Sequence, residues 1–260
     1  MPELPDVEFM RRRLRSRIRG RRIARAEILD QGFVGFGRTA SRDRLEGARI
    51  LDVTRRAKFL LVALDSGSTL LLRRVGGRVA LARGTDPTTL APLRRLGIEP
   101  LSPRFRLEEL DRRARAFRGA VKCLLMAQAR IAGIGNLYSD EILFRARIHP
   151  AVQARTLDGK RLRVLYDAIR AVLQEATRDL PGLDRKRAWL MNHRAETKRC
   201  PRCRARIRRL RLCGRSSYFC PRCQPPSSAG FAGAIGPGGR QRAGRRPAQR
   251  RKGGEAPLRG

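Results

Sequence analysis

Two groups of residues in this 260-residue chain could do chemistry. Cys200-x-x-Cys203 and Cys220-x-x-Cys223 have the spacing of two knuckles that together offer four thiolates to one tetrahedral Zn²⁺. The sixteen residues between the pairs suffice for a β-hairpin. At the other end the chain opens "MPELPDVE", so Pro2 becomes the terminal residue once Met1 is removed, with the Glu3 carboxylate beside it. Spacing alone does not say what such a pair is for.

The elements that must position these groups follow from pattern. Val7, Met10, Leu14 and Ile18 keep helical spacing, so a helix is expected to start just after the Pro5-Asp6 corner. "ARILDVTRR", "KFLLVAL" and "STLLLRRV" read as short strands, the last two joined by a "DSGS" turn. From about residue 88 the character becomes helical. "LEELDRRARAF", "VKCLLMAQARI" and "YSDEILFRARI" are expected helices, "AGIGN" is a turn, and a long amphipathic helix is expected from about Asp158 to Arg178. The hairpin between the cysteine pairs should hold Arg215 near its tip as a phosphate-contacting or groove-entering side chain; alternatively, the metal only staples a small module that lacks a core. Cys123 and Cys213 lack partners at ligand spacing and read as a buried or a spare surface thiol.

Sixty Lys and Arg against twenty-three Asp and Glu give a formal net charge of +37, which points to a polyanion and first to nucleic acid. The bland alternative is a coding bias that loads the surface with arginine. No run of about 18 apolar residues exists, so no membrane partner is expected. The N-terminus lacks the apolar core of a signal peptide, and a cytoplasmic, nucleoid-associated monomer with reduced thiols is expected. The predicted parts are a catalytic lobe at 2–87, a helical lobe at 88–195, a zinc finger at 196–224 and a disordered basic tail at 225–260.

"PELPDVE", "IAGIGNLYSDEILFRARIHP" and the four-cysteine hairpin with "GRSSYFCPRCQ" together resemble the formamidopyrimidine-DNA glycosylase and endonuclease VIII family of base-excision repair enzymes. "RRAKFLLVALDSG" and "LGIEPLSPRFRLEEL" are also similar to family segments, so the resemblance spans nearly all of Pro2 to Gln224. It implies an α+β fold: an N-terminal helix with an antiparallel β-sandwich, a helical lobe with a helix-two-turn-helix, and a C-terminal zinc hairpin. Pro2 is then the nucleophile that attacks C1′ of a damaged nucleotide and forms an iminium, and Glu3 the carboxylate that manages protons at the sugar. A reference α-amino pKa of about 7.7 to 8.0 leaves an appreciable neutral fraction at neutral pH. The iminium acidifies the C2′ hydrogen, so strand cleavage by elimination would follow base loss. The resemblance further implies that Lys58 is a hairpin lysine near the phosphates beside the lesion, Lys122 a second basic residue close to the site, and Asn136 a phosphate ligand. Tyr138 and Glu141 share the Asn136 motif and could equally pack or cap, Asp6 stands where the family usually has Glu, and His149 and His193 receive no catalytic role.

Departures from the pattern fall where the family fills the void left by a flipped nucleotide. Arg74-Val75-Gly76-Gly77 stands where His-Leu-Gly-Met is usual, no Arg-Phe-Gly appears between Leu81 and Leu96, and Leu180 to Cys200 is short for a lesion-covering loop. Chemistry with altered lesion or strand preference is therefore expected, on damaged, abasic or single-stranded DNA. A catalytically weak DNA-binding protein on the same scaffold is the alternative. A zinc-ribbon RNA-binding protein is a third reading, carried only by the charge and the tail.

Overall fold

The computed structural model describes residues 2–27, 38–73, 78–83, 91–179 and 188–226. The Arg74–Gly77 stretch, residues 84–90 and 180–187 of the segments compared for wedge and loop residues, and nearly all of the basic tail thus lie outside the described residues.

The chain begins with helix α1 (Leu4–Ile18), whose first turn carries Pro5, a position where a missing N–H costs nothing. Asp6 accepts the Glu3 backbone N–H at 2.7 Å and fixes the entry to the helix. After Gly20, at φ +81°, residues 20–23 turn back alongside 47–50, with Gly20 N–H donating to Ile50 C=O at 2.8 Å and Ile23 N–H to Ala48 C=O at 2.9 Å. A short helix, α2 (Arg38–Leu45), precedes the strands.

Strands β1 (Ile50–Arg56), β2 (Phe59–Leu64), β3 (Ser68–Arg73) and β4 (Arg78–Arg83) form one antiparallel meander in the order β1-β2-β3-β4. The near-continuous apolar run of β2 suits a strand covered on both faces. One face packs Val53, Val62, Leu64 and Leu81 against Leu14 and Ile18 of α1. The other packs Phe59, Leu61 and Leu71 against Leu93 of α3 (Ala91–Arg94). A second sheet to complete a sandwich is not found among the described residues.

The helical lobe is built from α4 (Leu107–Arg115), α5 (Val121–Met126), α6 (Asn136–Arg145) and α7 (Gly159–Asp179). Leu162, Leu165, Ile169, Val172, Leu173 and Ala176 of α7 form the predicted buried stripe, packed with Ile142 and Leu143 of α6. The helix expected over "VKCLLMAQARI" ends early, at Met126. Gln128 turns inward there, accepting the Gly133 N–H at 3.0 Å and donating to Ile134 C=O at 2.7 Å and Met126 C=O at 2.9 Å. Residues 127–135 wrap around that side chain instead of continuing the helix.

The last module is the hairpin β5 (Arg208–Leu212) and β6 (Arg215–Phe219), with Leu212 paired to Arg215. Cys213 and Gly214 form its two-residue turn, both at positive φ, as a tight hairpin requires. The module docks on α6 through Phe144, Leu190, Ile207 and the buried Cys200 and Cys220.

Candidate active site

Glu3 lies at the junction of the two lobes. It is 4% exposed, and its carboxylate accepts N–H bonds from Gly135 at 2.6 Å, Leu137 at 2.8 Å and Tyr138 at 3.3 Å. These groups form the N-terminal turn of α6, whose unsatisfied donors and positive dipole end favour an anion. The glycines of "AGIGN" make the docking possible: a Cβ on Gly135 would stand 2.4 Å from Glu3 Cδ, and one on Gly133, at φ +105°, 2.7 Å from a methyl carbon of Leu4. Leu4 N–H also donates to Gly133 C=O at 3.0 Å, so the N-terminus is held by the turn at two points. Burial pushes the Glu3 carboxyl above the usual carboxylate range, while Lys58 and the three N–H donors pull it back.

Lys58 stands on the β1–β2 turn, where Ala57 adopts φ +50°. Glu99 fixes that turn by accepting the Ala57 N–H at 2.8 Å and pairing with Arg55 at 2.7 Å and Arg56 at 3.0 Å. Lys58 Nζ donates to Ile134 C=O at 2.9 Å, bringing the ammonium to the same glycine turn that Glu3 caps.

A cavity of about 460 Å³ opens over these groups, lined by Glu3, Lys58, Gln128, Asn136, Arg194 and Arg215, among others. It joins all three parts of the chain. A larger one of about 710 Å³, lined by Arg55, Arg56, Glu99 and Arg104, shares no lining residue with it and holds none of the expected reacting groups. Pro2 is half-buried and covalently next to Glu3. Asn136 begins α6 and lines the cavity, with its Oδ1 buried without a hydrogen-bond partner. Arg215 is exposed at the start of β6 and reaches the cavity from the hairpin tip.

Lys122, expected as a second basic residue close to the site, is withdrawn from solvent. It is 0% exposed and ion-paired to Asp140, itself 1% exposed. Asp140 also accepts from Ser217 Oγ at 2.9 Å, Tyr218 N–H at 3.1 Å and Arg194 Nε at 3.1 Å. Lys122 therefore anchors the carboxylate that ties α6 to the zinc hairpin. Burial pushes its ammonium pKa down and Asp140 pulls it up. Sequence reasoning missed Arg194, Gln128 and Asp140; Arg194 stands between His193 and Ala195 with no spacing signal, and Gln128 stands inside an apparent helix. Tyr138 and Glu141 are buried, Glu141 accepting the Met191 N–H at 3.0 Å, and His149 stacks edge-on to Phe219. Glu141 thus caps the backbone at Met191, while Tyr138 packs in the helical core and His149 against Phe219.

The Sγ atoms of Cys200, Cys203, Cys220 and Cys223 lie within 4.8 Å of one another, with Cys200 to Cys223 at 3.9 Å and Cys203 to Cys220 at 3.4 Å. Zn–S bonds of about 2.3 Å in a tetrahedron place sulfurs about 3.8 Å apart, so this donor set fits the ion. Backbone N–H groups of Arg202 and Cys223 point at Cys200 and Cys220 sulfur, each at 3.4 Å, as suits thiolates. Cys123 and Cys213, expected as unpaired thiols, are bonded to each other as a disulfide, with Cα atoms 5.9 Å apart. Residues 90 positions apart give no spacing signal; the docking of the hairpin on the helical lobe brings them together.

Comparison with known proteins agrees with this architecture. Residues 1–118 match the formamidopyrimidine-DNA glycosylase N-terminal domain, 96–184 the formamidopyrimidine-DNA glycosylase H2TH domain, and 198–226 the zinc finger found in FPG and IleRS. The formamidopyrimidine-DNA glycosylase of Pelotomaculum thermopropionicum is 33% identical over 86% of this chain and 99% of its own length, and that of Heliobacterium modesticaldum 36% identical over 86% and 100%. The crystal structure of MutM (Fpg) from Thermus thermophilus superposes with a TM-score of 0.74 at 32% identity, covering 87% of this chain and all of its own. Lactococcus lactis Fpg bound to DNA containing an AP site gives 0.77 at 25% identity, covering 86% of this chain and all of its own. Three domain matches in the same order, with relatives above 30% identity along nearly their whole length, lead to one conclusion: the chain belongs to the formamidopyrimidine-DNA glycosylase family.

Proposed function

We propose that the chain is a bifunctional DNA glycosylase and AP lyase of base-excision repair, acting through Pro2. The observation that carries this reading is the Glu3 carboxyl, buried beside Pro2 at the floor of a cavity ringed by Lys58, Arg194 and Arg215. In this reading the Pro2 amine attacks C1′ and the C1′–base bond breaks. Glu3 moves protons at the sugar, and the resulting iminium acidifies the C2′ hydrogen so that the 3′ phosphate leaves by elimination. Lys58, Asn136 and Arg215 hold the flanking phosphates, with Asn136 presented by the α6 N-terminus. One Zn²⁺ on Cys200, Cys203, Cys220 and Cys223 serves structurally, keeping Arg215 at the hairpin tip. The working parts would be the lobes and zinc finger bounded near residues 88 and 196, in a monomer acting on cytoplasmic, nucleoid DNA. The glycines at 76 and 77 supply nothing to fill the gap left by a flipped nucleotide. The preferred substrate is accordingly DNA whose unpairing cost is already low: single-stranded, distorted or abasic.

Borohydride trapping tests the chemistry. Protein with Pro2 as its confirmed N-terminus should give a covalent adduct with abasic and damaged oligonucleotides, absent in Pro2→Gly and reduced in Glu3→Gln on base-containing substrates. No adduct on any substrate would leave only binding. Excision of 8-oxoguanine from duplex as fast as from single strands would overturn the proposed strand preference.

A further inference from the structure

The Cys123–Cys213 bond occupies a place that gives it consequences. Cys123 follows Lys122 in α5, and Cys213 is the first turn residue of the zinc hairpin, two positions before Arg215. The bond thus ties the tip of the hairpin to the helical lobe beside the cavity that Arg215 lines. The base and middle of the hairpin are held independently, by the four-cysteine cluster and by the bonds from Ser217 and Tyr218 to Asp140. Only the tip gains its attachment from this pair of sulfurs. Cys213 is exposed and flanked in sequence by Leu212 and Gly214, with Arg211 and Arg215 just beyond, and Cys123 is half-buried. The bond is open to reagents in solvent, unlike the buried sulfurs of Cys200 and Cys220.

We propose that Cys123 and Cys213 are a reversible redox clamp, closed by hydroperoxides and opened by dithiols, that fixes Arg215 over the cavity and so strengthens DNA binding. In closing, the Cys213 thiolate attacks the peroxide oxygen, the O–O bond breaks, and water or alcohol leaves with a sulfenic acid formed. The Cys123 sulfur then attacks that sulfur, the S–S bond forms, the S–O bond breaks and water leaves. A dithiol returns the two electrons and two protons by exchange through a mixed disulfide. The clamp strengthens binding because Arg215, already held in the closed form, loses less freedom when it meets a phosphate. Its effect on DNA rests on the proposed function.

The test uses full-length, metal-loaded protein, reduced with dithiothreitol and then treated with sub-stoichiometric hydrogen peroxide, with zinc content followed throughout. Peptide mapping without reductant should show the 123–213 link appear with peroxide and vanish with dithiothreitol while zinc is retained. Affinity for an abasic oligonucleotide should be about three- to tenfold tighter in the oxidised form. Cys123→Ser and Cys213→Ser should each bind like reduced wild type, insensitive to peroxide. A link that does not form, or that resists dithiothreitol, would overturn the clamp. Equal affinity in both states would overturn it too while leaving the glycosylase reading intact, whereas no binding in either state would overturn both.

Discussion

The Glu3 carboxylate accepts the Gly135 N–H at 2.6 Å, across 132 positions of sequence. The bond joins the residue beside the proposed nucleophile to the turn that opens α6, so the position of the Glu3 carboxylate and that of the α6 N-terminus are set by one contact. A Gly135→Ala substitution puts a methyl 2.4 Å from Glu3 Cδ and must displace the carboxylate. It should cost about 1–3 kcal/mol in urea unfolding. Single-turnover base excision should fall by about 10²-fold or more. Unchanged excision would show that Glu3 need not sit where the turn holds it.

Glu3→Gln separates charge from shape. The amide oxygen can still accept from Gly135 and Tyr138, but its NH2 then faces the Leu137 N–H, so folding should lose about 1–3 kcal/mol. Base excision should drop about 10²- to 10⁴-fold. Trapping on an already abasic strand should fall far less, because no glycosidic bond then needs breaking.

Asp140 and Lys122 form a buried pair whose separate loss should be more harmful than its joint replacement. Asp140→Ala leaves a buried ammonium and frees Ser217, Tyr218 N–H and Arg194, and should destabilise by about 3–5 kcal/mol. Lys122→Met leaves Asp140 with its three other donors and should cost less. A double-mutant cycle in chemical denaturation gives the coupling, and a value near zero would remove Lys122 from the positioning network.

Burial lifts the Glu141 carboxyl to about 7. Between its unfolded value near 4.3 and that pKa the folded chain binds more protons than the unfolded one. This contribution is therefore fully present below about pH 4 and is lost as pH rises toward 7, on the order of 3 kcal/mol in all. Glu141→Gln keeps an acceptor for Met191 N–H and should flatten that part of the stability profile. Denaturation midpoints of both proteins from pH 5 to 8 would check it.

Stripping the metal should unfold the hairpin and leave α7 and its buried stripe helical. Affinity for abasic DNA should fall about 10- to 100-fold through loss of the charged contact from Arg215. Metal content, far-UV circular dichroism and binding, measured together before and after zinc is restored, would show whether the losses track one another.

Much of the local structure was legible in the sequence. The α7 stripe, the β2–β3 turn and the zinc hairpin stand where periodicity, turn residues and cysteine spacing put them, because each depends on residues a few positions apart. The early end of α5 was not legible: its apolar pattern runs on past Met126, and only the inward turn of Gln128, with its bonds to 126, 133 and 134, breaks the helix.

The sequence by itself determined the two Cys-x-x-Cys pairs, the carboxylate next to Pro2, the basic charge and the glycine turn "AGIGN" that opens α6. Tertiary structure alone decided that Glu3 caps α6, that Lys122 is withdrawn from solvent onto Asp140, that Arg194 joins the cavity, and that Cys123 finds Cys213. The reason is physical: periodicity and ligand spacing are properties of neighbouring residues. Burial, ion pairing and disulfide formation depend on which distant surfaces the packed core brings into contact.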